Sequence, residues 1–171
     1  TATADYNTGI GAWVMNDLTT GASNTGLGYD ALAKLTTGDK NVAIGSEALQ
    51  IASGSDENTA LGHNALKTHN AGQDGWGWNT AVGAFAGTAV TTGYMGAYFG
   101  KDAGLALTTG HYNTVIGANA CETSTAVQYG VFLGYGAGRD GNMTTDADGT
   151  VFIGAHAGRK MTSGRYNVAI G

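Results

Sequence analysis

The side chains able to do chemistry are few and scattered. Two carboxylates, Asp30 and Glu47, lie 17 residues apart. If residues at that interval stack at the spacing of neighbouring strands, about 4.8 Å, their oxygens approach the separation used by retaining glycosidases, about 5 to 5.5 Å. The same phase continues as Trp13, Asn64, Phe85, Asp102, Asn119, Gly136 and His156, the mixed chemistry of a surface column, which favours an exposed pair over a catalytic one. Gly134-Tyr135-Gly136-Ala137-Gly138 has the glycine density of a phosphate-cradling loop but lacks the long helix and later acidic residue of a dinucleotide fingerprint. In Asp140, Asn142, Thr144, Asp146 and Asp148, alternating oxygen side chains imitate a calcium loop, yet its twelfth place holds Val151 instead of Glu. A solvated insertion is expected there, and the sequon Asn142-Met143-Thr144 is read as incidental. His63, His69, His111 and His156 share no metal-ligand spacing, and Cys121, the single cysteine, reads as a small buried hydrophobe. No catalytic residue, metal or cofactor is expected.

Two segments stand apart as contact surfaces. His69, Gln73, Asp74 and Trp76 belong to an aromatic-rich stretch near residues 69–78, and Arg139, Asp140 and Asn142 to a second stretch near 139–149. Loops that interrupt a regular scaffold are where recognition concentrates, so these residues are the candidate receptor-binding set. Trp78 shares its place with Tyr6, Tyr112, Tyr129 and Tyr166 and is read as part of a packing ladder.

The scaffold that must position these residues is a repeat. Taking the Asn of Asn-x-x-apolar-Gly as position one, copies begin at Asn7, Asn24, Asn41, Asn58, Asn79, Gly96, Asn113, Gly130, Thr150 and Asn167. The interval is 17 residues except at the two contact segments, where four and three residues are added. Position five is always glycine (Gly11, Gly28, Gly45, Gly62, Gly83, Gly100, Gly117, Gly134, Gly154, Gly171), as expected where a strand ends in a corner with no room for a Cβ. Position four, from Ile10 to Ile170, is always apolar and is expected to point inward as the core. Position eight is mainly alanine, a place of close backbone approach. Position nine runs from Met15, Leu32, Leu49 and Leu66 to glycine or Cys121, while position three runs from small residues to Tyr98, Val115, Phe132 and Phe152, so bulk lost in one column returns in the other. Thr-Thr-Gly triplets such as Thr19-Thr20-Gly21 and Thr108-Thr109-Gly110 mark a second turn. Segments of three to five residues between corners are too short for helices. The reading is an all-β, parallel β-solenoid of about ten 17-residue coils, a single repeat domain over residues 1–171 and roughly 43 Å long at the rise of stacked strands.

Composition agrees. Thirty glycines with no proline, and 12% charged residues, exclude collagen and disorder for a chain with such regular apolar positions. A net charge of −5 without any basic run predicts no nucleic-acid partner, and no apolar stretch approaches a membrane span of about 20 residues, so no membrane insertion is expected. The chain opens without Met and stops part-way through a copy, which reads as a piece of a longer fibre.

Segments such as Asn41-Val-Ala-Ile-Gly-Ser-Glu-Ala-Leu49 and Asn58-Thr-Ala-Leu-Gly-His-Asn-Ala-Leu66 resemble the N-T-A-I-G-Y-x-A-L arrays of bacteriophage tail fibres, and the resemblance covers essentially the whole chain. More distantly, the Asn41–Gly45 phase is similar to the head repeats of trimeric autotransporter adhesins, whose repeat is shorter. The resemblance implies an elongated homotrimer in a virion tail fibre, acting as shaft or receptor-binding region, with a host cell-surface glycan or protein as partner. A bacterial surface adhesin is the alternative, and an ice-binding solenoid or a polysaccharide-cleaving tailspike resting on Asp30 and Glu47 are lesser ones.

Overall fold

The computed structural model describes residues 4–72 and 76–171. Ten strands of three residues each, β1 (Thr8–Ile10), β2 (Thr25–Leu27), β3 (Val42–Ile44), β4 (Thr59–Leu61), β5 (Thr80–Val82), β6 (Ala97–Phe99), β7 (Thr114–Ile116), β8 (Val131–Leu133), β9 (Val151–Ile153) and β10 (Val168–Ile170), occupy positions two to four of successive copies. They form one parallel sheet in chain order, so the chain is a β-solenoid that advances one strand per coil. Register follows the repeat: Thr25 pairs with Val42, and across the insertions Thr59 pairs with Thr80 and Val131 with Val151. The extra residues are absorbed outside the sheet.

The inward column is not the expected one. Position three faces the interior, where Ala43, Ala60, Ala81, Tyr98, Val115, Phe132 and Phe152 are fully buried, whereas position four faces outward. Leu61 retains 44% of its surface and Ile10 62%. Side chains alternate along a strand, so shifting the parity by one residue exchanges inside for outside. The interior is the column that compensates: a Cβ on Gly104, Gly138 or Gly158 at position nine would lie within 2.8 Å of Tyr98, Phe132 or Phe152 respectively, so an aromatic at position three needs glycine at nine. Position four answers to nothing inside and does not covary. The remaining core comes from the alanines of position eight and from position twelve, represented by Leu35, Ala52, Val90 and Leu107, all fully buried.

Position one carries a role that its spacing alone does not reveal. Each Asn side chain points inward and its Oδ1 accepts the backbone N–H of the next copy: Asn24 to Asn7 at 2.8 Å, Asn41 to Asn24 at 2.8 Å, Asn58 to Asn41 at 3.0 Å, Asn79 to Asn58 at 3.1 Å. The amide nitrogen bonds the neighbouring Oδ1 and also crosses the coil to the second turn, as Asn24 does to the Gly38 carbonyl at 2.9 Å and Asn41 to the Ser55 carbonyl at 2.7 Å. These amides are completely buried, and their donors and acceptors are used between coils. Where Tyr98 and Phe132 enter the core, position one becomes Gly96 and Gly130, because a Cβ there would sit 2.3 Å from the Tyr98 hydroxyl and 2.5 Å from the Phe132 ring.

The corner glycines adopt φ near +135°, and a Cβ on Gly45 would meet the Gly62 carbonyl oxygen at 2.5 Å. Positions seven, nine and seventeen are left-handed in coil after coil, including bulky residues: Trp13, Leu49, Trp78 and Tyr112 have φ of 61°, 48°, 54° and 59°. Such residues cost about 1 to 2 kcal/mol each, offset by coil-to-coil backbone bonds such as Leu49 N–H to the Ala65 carbonyl. The Thr-Thr-Gly turn is present, with the Thr19, Thr36 and Thr108 hydroxyls donating to carbonyls one coil onward.

Two outcomes follow for stability. Gly45→Val or Gly117→Val should prevent ordered folding, read as loss of a cooperative thermal transition, while Asp140→Ala, at an exposed ion pair, should shift it little; equal tolerance of the two kinds of change would sink the corner argument. Asn41→Ala strands the Asn58 backbone N–H, removes one of the two acceptors of the Asn58 amide and takes the donor from the Ser55 carbonyl, and should lower stability by about 3 kcal/mol, measured by urea unfolding.

Candidate functional site

Among the described residues, no hydrogen bond, ion pair or ring contact joins the first candidate segment to the second. His69 occupies position twelve of its copy, a core column, and is fully buried between coils whose equivalents are Ala52 and Val90. Its Nε2 lies 3.4 Å from the Asn79 amide nitrogen. Burial pushes the imidazole down to about 4, against the opposing pull of the Thr91 backbone. His69 therefore offers no surface to a receptor, and the added residues begin after it. Gln73 and Asp74 lie outside the described residues. Trp76 is exposed.

In the second segment Asp140 is tied to Arg159 at 2.6 Å and Arg139 at 3.3 Å, and Arg139 also reaches Glu122 at 3.2 Å. Asn142 is exposed beside them. The segment is less solvated than its composition predicts: Met143 and Ala147 plug the core, a short 3-10 turn spans Thr145–Ala147, and Asp148 accepts the Gln128 N–H at 2.8 Å. Its carboxylates thus diverge to separate partners, and among the described residues no three His, Cys, Asp or Glu side chains gather as a metal site.

The other motifs resolve into conformation and surface chemistry. Gly134, Gly136 and Gly138 fall at three places of positive φ, 133°, 61° and 62°, which accounts for their spacing. Asp30 accepts from Gln50 at 3.1 Å and Glu47 is paired with Lys67. Cys121 is buried, and its thiol is pushed up to about 12 by burial.

What the structure does assemble is a ring-lined edge at the corner ahead of the sheet. Trp76 packs edge-on to Trp78 and Tyr94, with centroids 6.4 and 4.8 Å apart. Tyr94 stacks on His111 at 4.2 Å and meets Tyr112 at 5.3 Å, and Tyr112 stacks on Tyr129 at 5.0 Å with planes 9° apart. The expected ladder exists, but outside: Tyr129 keeps 57% of its surface and Trp78 43%. In earlier coils the same two places, sixteen and seventeen, hold Asp5 and Tyr6, Ala22 and Ser23, then Asp39, Lys40, Asp56 and Glu57, with Lys40 paired to Glu57 at 3.0 Å. From the first insertion onward aromatic rings dominate the edge. The ladder then skips a coil, since position seventeen runs Tyr112, Tyr129, Gly149, Tyr166. A cavity of about 370 Å³ opens there, lined by Tyr129, Asp148, Gly149, Arg165 and Tyr166. The sequence reading grouped the four tyrosines and passed over the missing ring, although its phase was visible. No protein-family model, no curated protein and no solved structure matches the chain.

His69 generates a pH test. A buried neutral imidazole binds fewer protons than the unfolded one, so its contribution is complete above the unfolded value near 6.5 and is lost as pH falls toward 4. The loss should reach roughly 3 kcal/mol. Asp56, whose carboxyl is raised by burial, acts in the opposite sense, so the measurement is a difference: unfolding free energy of the native chain and of His69→Asn between pH 7 and 4. A parallel decline in both would remove the role assigned to His69.

Proposed function

We propose that the chain is a structural and attachment element of a fibre, the shaft or receptor-binding region of a phage tail fibre in which three copies wind side by side. The observation that carries the reading is the outward face of the sheet. Positions two and four project from it, and their twenty residues include no charge: Thr and Val with one Ala in one column, Ile, Leu, Val and Phe in the other. Leu27, Leu61, Phe99, Ile116 and Leu133 are exposed along it. A continuous apolar stripe of this length is more than a soluble rod leaves to water, and it suits burial against its own copies about an axis parallel to the rod. The resemblance of the Asn41–Leu49 and Asn58–Leu66 segments to tail-fibre arrays gives the copy number. The same geometry serves a bacterial surface adhesin, which the full-length reading frame distinguishes by its end domains.

A second reading draws on the same face. Thr8, Thr25, Thr59, Thr80 and Thr114 stand beside the apolar column as Thr-x-apolar rows on a flat sheet, the chemistry of an ice-binding surface. A single-chain mass together with thermal hysteresis at millimolar protein favours it.

Light scattering should give three times the chain mass of 17.2 kDa. Leu61→Asp combined with Ile116→Asp, placing charge in the middle of the face, should reduce the mass to that of one chain while the far-ultraviolet circular dichroism persists. A native chain that is monomeric would remove the fibre reading.

A further inference from the structure

We propose that the aromatic edge from Trp76 to Tyr166 binds a linear polysaccharide, with one pyranose ring seated in the cavity beside Gly149, between Tyr129 and Tyr166. The inference rests on the attachment role above and names its ligand class.

Four observations converge on this edge. Trp76, Trp78, Tyr112, Tyr129 and Tyr166 are exposed in spite of their size, with Tyr94 half-buried among them, so these rings are not spent on the core. They stand on left-handed backbone, with φ of 54° at Trp78, 59° at Tyr112 and 54° at Tyr129, a conformation that bulky residues rarely adopt. The conformation belongs to the corner of every coil and turns the side chain outward, and Lys40 and Glu57 adopt it with φ of 56° and 55°, so the backbone does not call for a ring and the aromatic side chains answer to something outside the fold. The contacts run continuously along the rod from Trp76 through Tyr94 and Tyr112 to Tyr129, which suits a ligand extended in the same direction. Finally, a rung is absent beyond Tyr129; at Met95, the other place without a ring, the neighbouring Tyr94 supplies one. Gly149 stands where a ring is due, its N–H bonds the Gln128 carbonyl at 2.9 Å, and the Asp148 carbonyl accepts the Tyr166 N–H at 3.0 Å, so the floor of the gap is fixed by the coil stack.

The lining selects the chemistry. Two phenol rings offer apolar faces, and a pyranose presents an apolar C–H face to such rings and a rim of hydroxyls around it. At the rim stand one carboxylate, Asp148, and one guanidinium, Arg165, with no net charge between them to favour an ion. The Asp148 Oδ1 already accepts the Gln128 N–H, which leaves Oδ2 to accept from a hydroxyl. At about 370 Å³ the cavity is small among ligand sites, sized for one sugar unit with the chain leaving along the ladder. A planar small molecule would fill the gap and leave the rings at Trp76 to Tyr112 without a role.

Filling the rung is the test. Gly149 has φ of +72°, close to that of the tyrosines above, and the atoms a Cβ would meet belong to the exposed Tyr166 ring, which can swing aside. Gly149→Tyr should therefore complete the ladder and keep a cooperative thermal transition while closing the subsite; Tyr129→Ala removes one wall without adding bulk. The native protein is applied to an array of neutral hexose, N-acetylhexosamine and uronic-acid oligosaccharides, and the strongest ligand is titrated by tryptophan fluorescence alongside its monosaccharide. We expect saturable binding of the oligosaccharide, at least tenfold weaker binding of the monosaccharide, at least tenfold loss in both variants, and no change in Tyr6→Ala at the opposite end. Absence of binding to every saccharide at millimolar concentration, or undiminished binding by folded Gly149→Tyr, overturns the proposal. A trimeric mass without saccharide binding defeats this inference and leaves the fibre reading standing; binding by a monomer does the reverse.

Discussion

Every feature of the rod depends on one requirement: the backbone of each coil must hydrogen-bond to the coils on either side around most of its contour. Strands satisfy this over three residues, as in any parallel sheet. The corners cannot do so in ordinary conformations, and they stay in register only because chosen residues turn left-handed or are glycine. The buried Asn amides complete the requirement from within. Each closes its coil by reaching the second turn and joins the next coil through its Oδ1. A substitution at position one or five therefore acts on two coils, because the partner of every group is the equivalent group one period away.

Inside the coil, volume is conserved across columns. The first coils fill the interior with leucine at position nine against glycine or alanine at position three; later ones reverse the arrangement, with Phe132 packed against Phe152 at 5.7 Å over the glycines of position nine. The changeover begins with Tyr98, whose phenol is wholly buried and held above its ordinary range by that burial. Gly87, in the first coil after the insertion, already leaves room for its ring. The rod has two halves that share a backbone and differ within and without.

The repeat, its interruptions and its corner glycines were legible because they recur in every copy, and a recurrent glycine has few physical causes. Parity was not. Positions three and four are both apolar or small, and constancy at position four looks like the signature of a core; the interior is marked instead by the opposed drift of positions three and nine, a compensation that needs both columns to face the same way. His69 was assigned to a loop by its neighbours, although its phase places it with Leu35 and Leu107. The tyrosines before position one were read as a packed ladder because aromatic columns usually are. Only geometry shows that the left-handed corner turns them outward, and only then does Gly149 become a gap in the ladder.

The left-handed corners also bear on how such a chain reaches its form. Positions seven, nine and seventeen each demand an unfavourable backbone state in every coil. An isolated coil meets this cost with nothing to bond to, whereas a coil laid on a finished one recovers it at once. Assembly then follows the kinetics of a crystal, with a slow first nucleus of two or three turns and rapid growth by apposition, because each new contact spans about one period of chain. The two insertions lengthen that span only to 21 and 20 residues, which adds about 0.2 kcal/mol or less of loop-closure entropy, so growth passes them with little loss of pace.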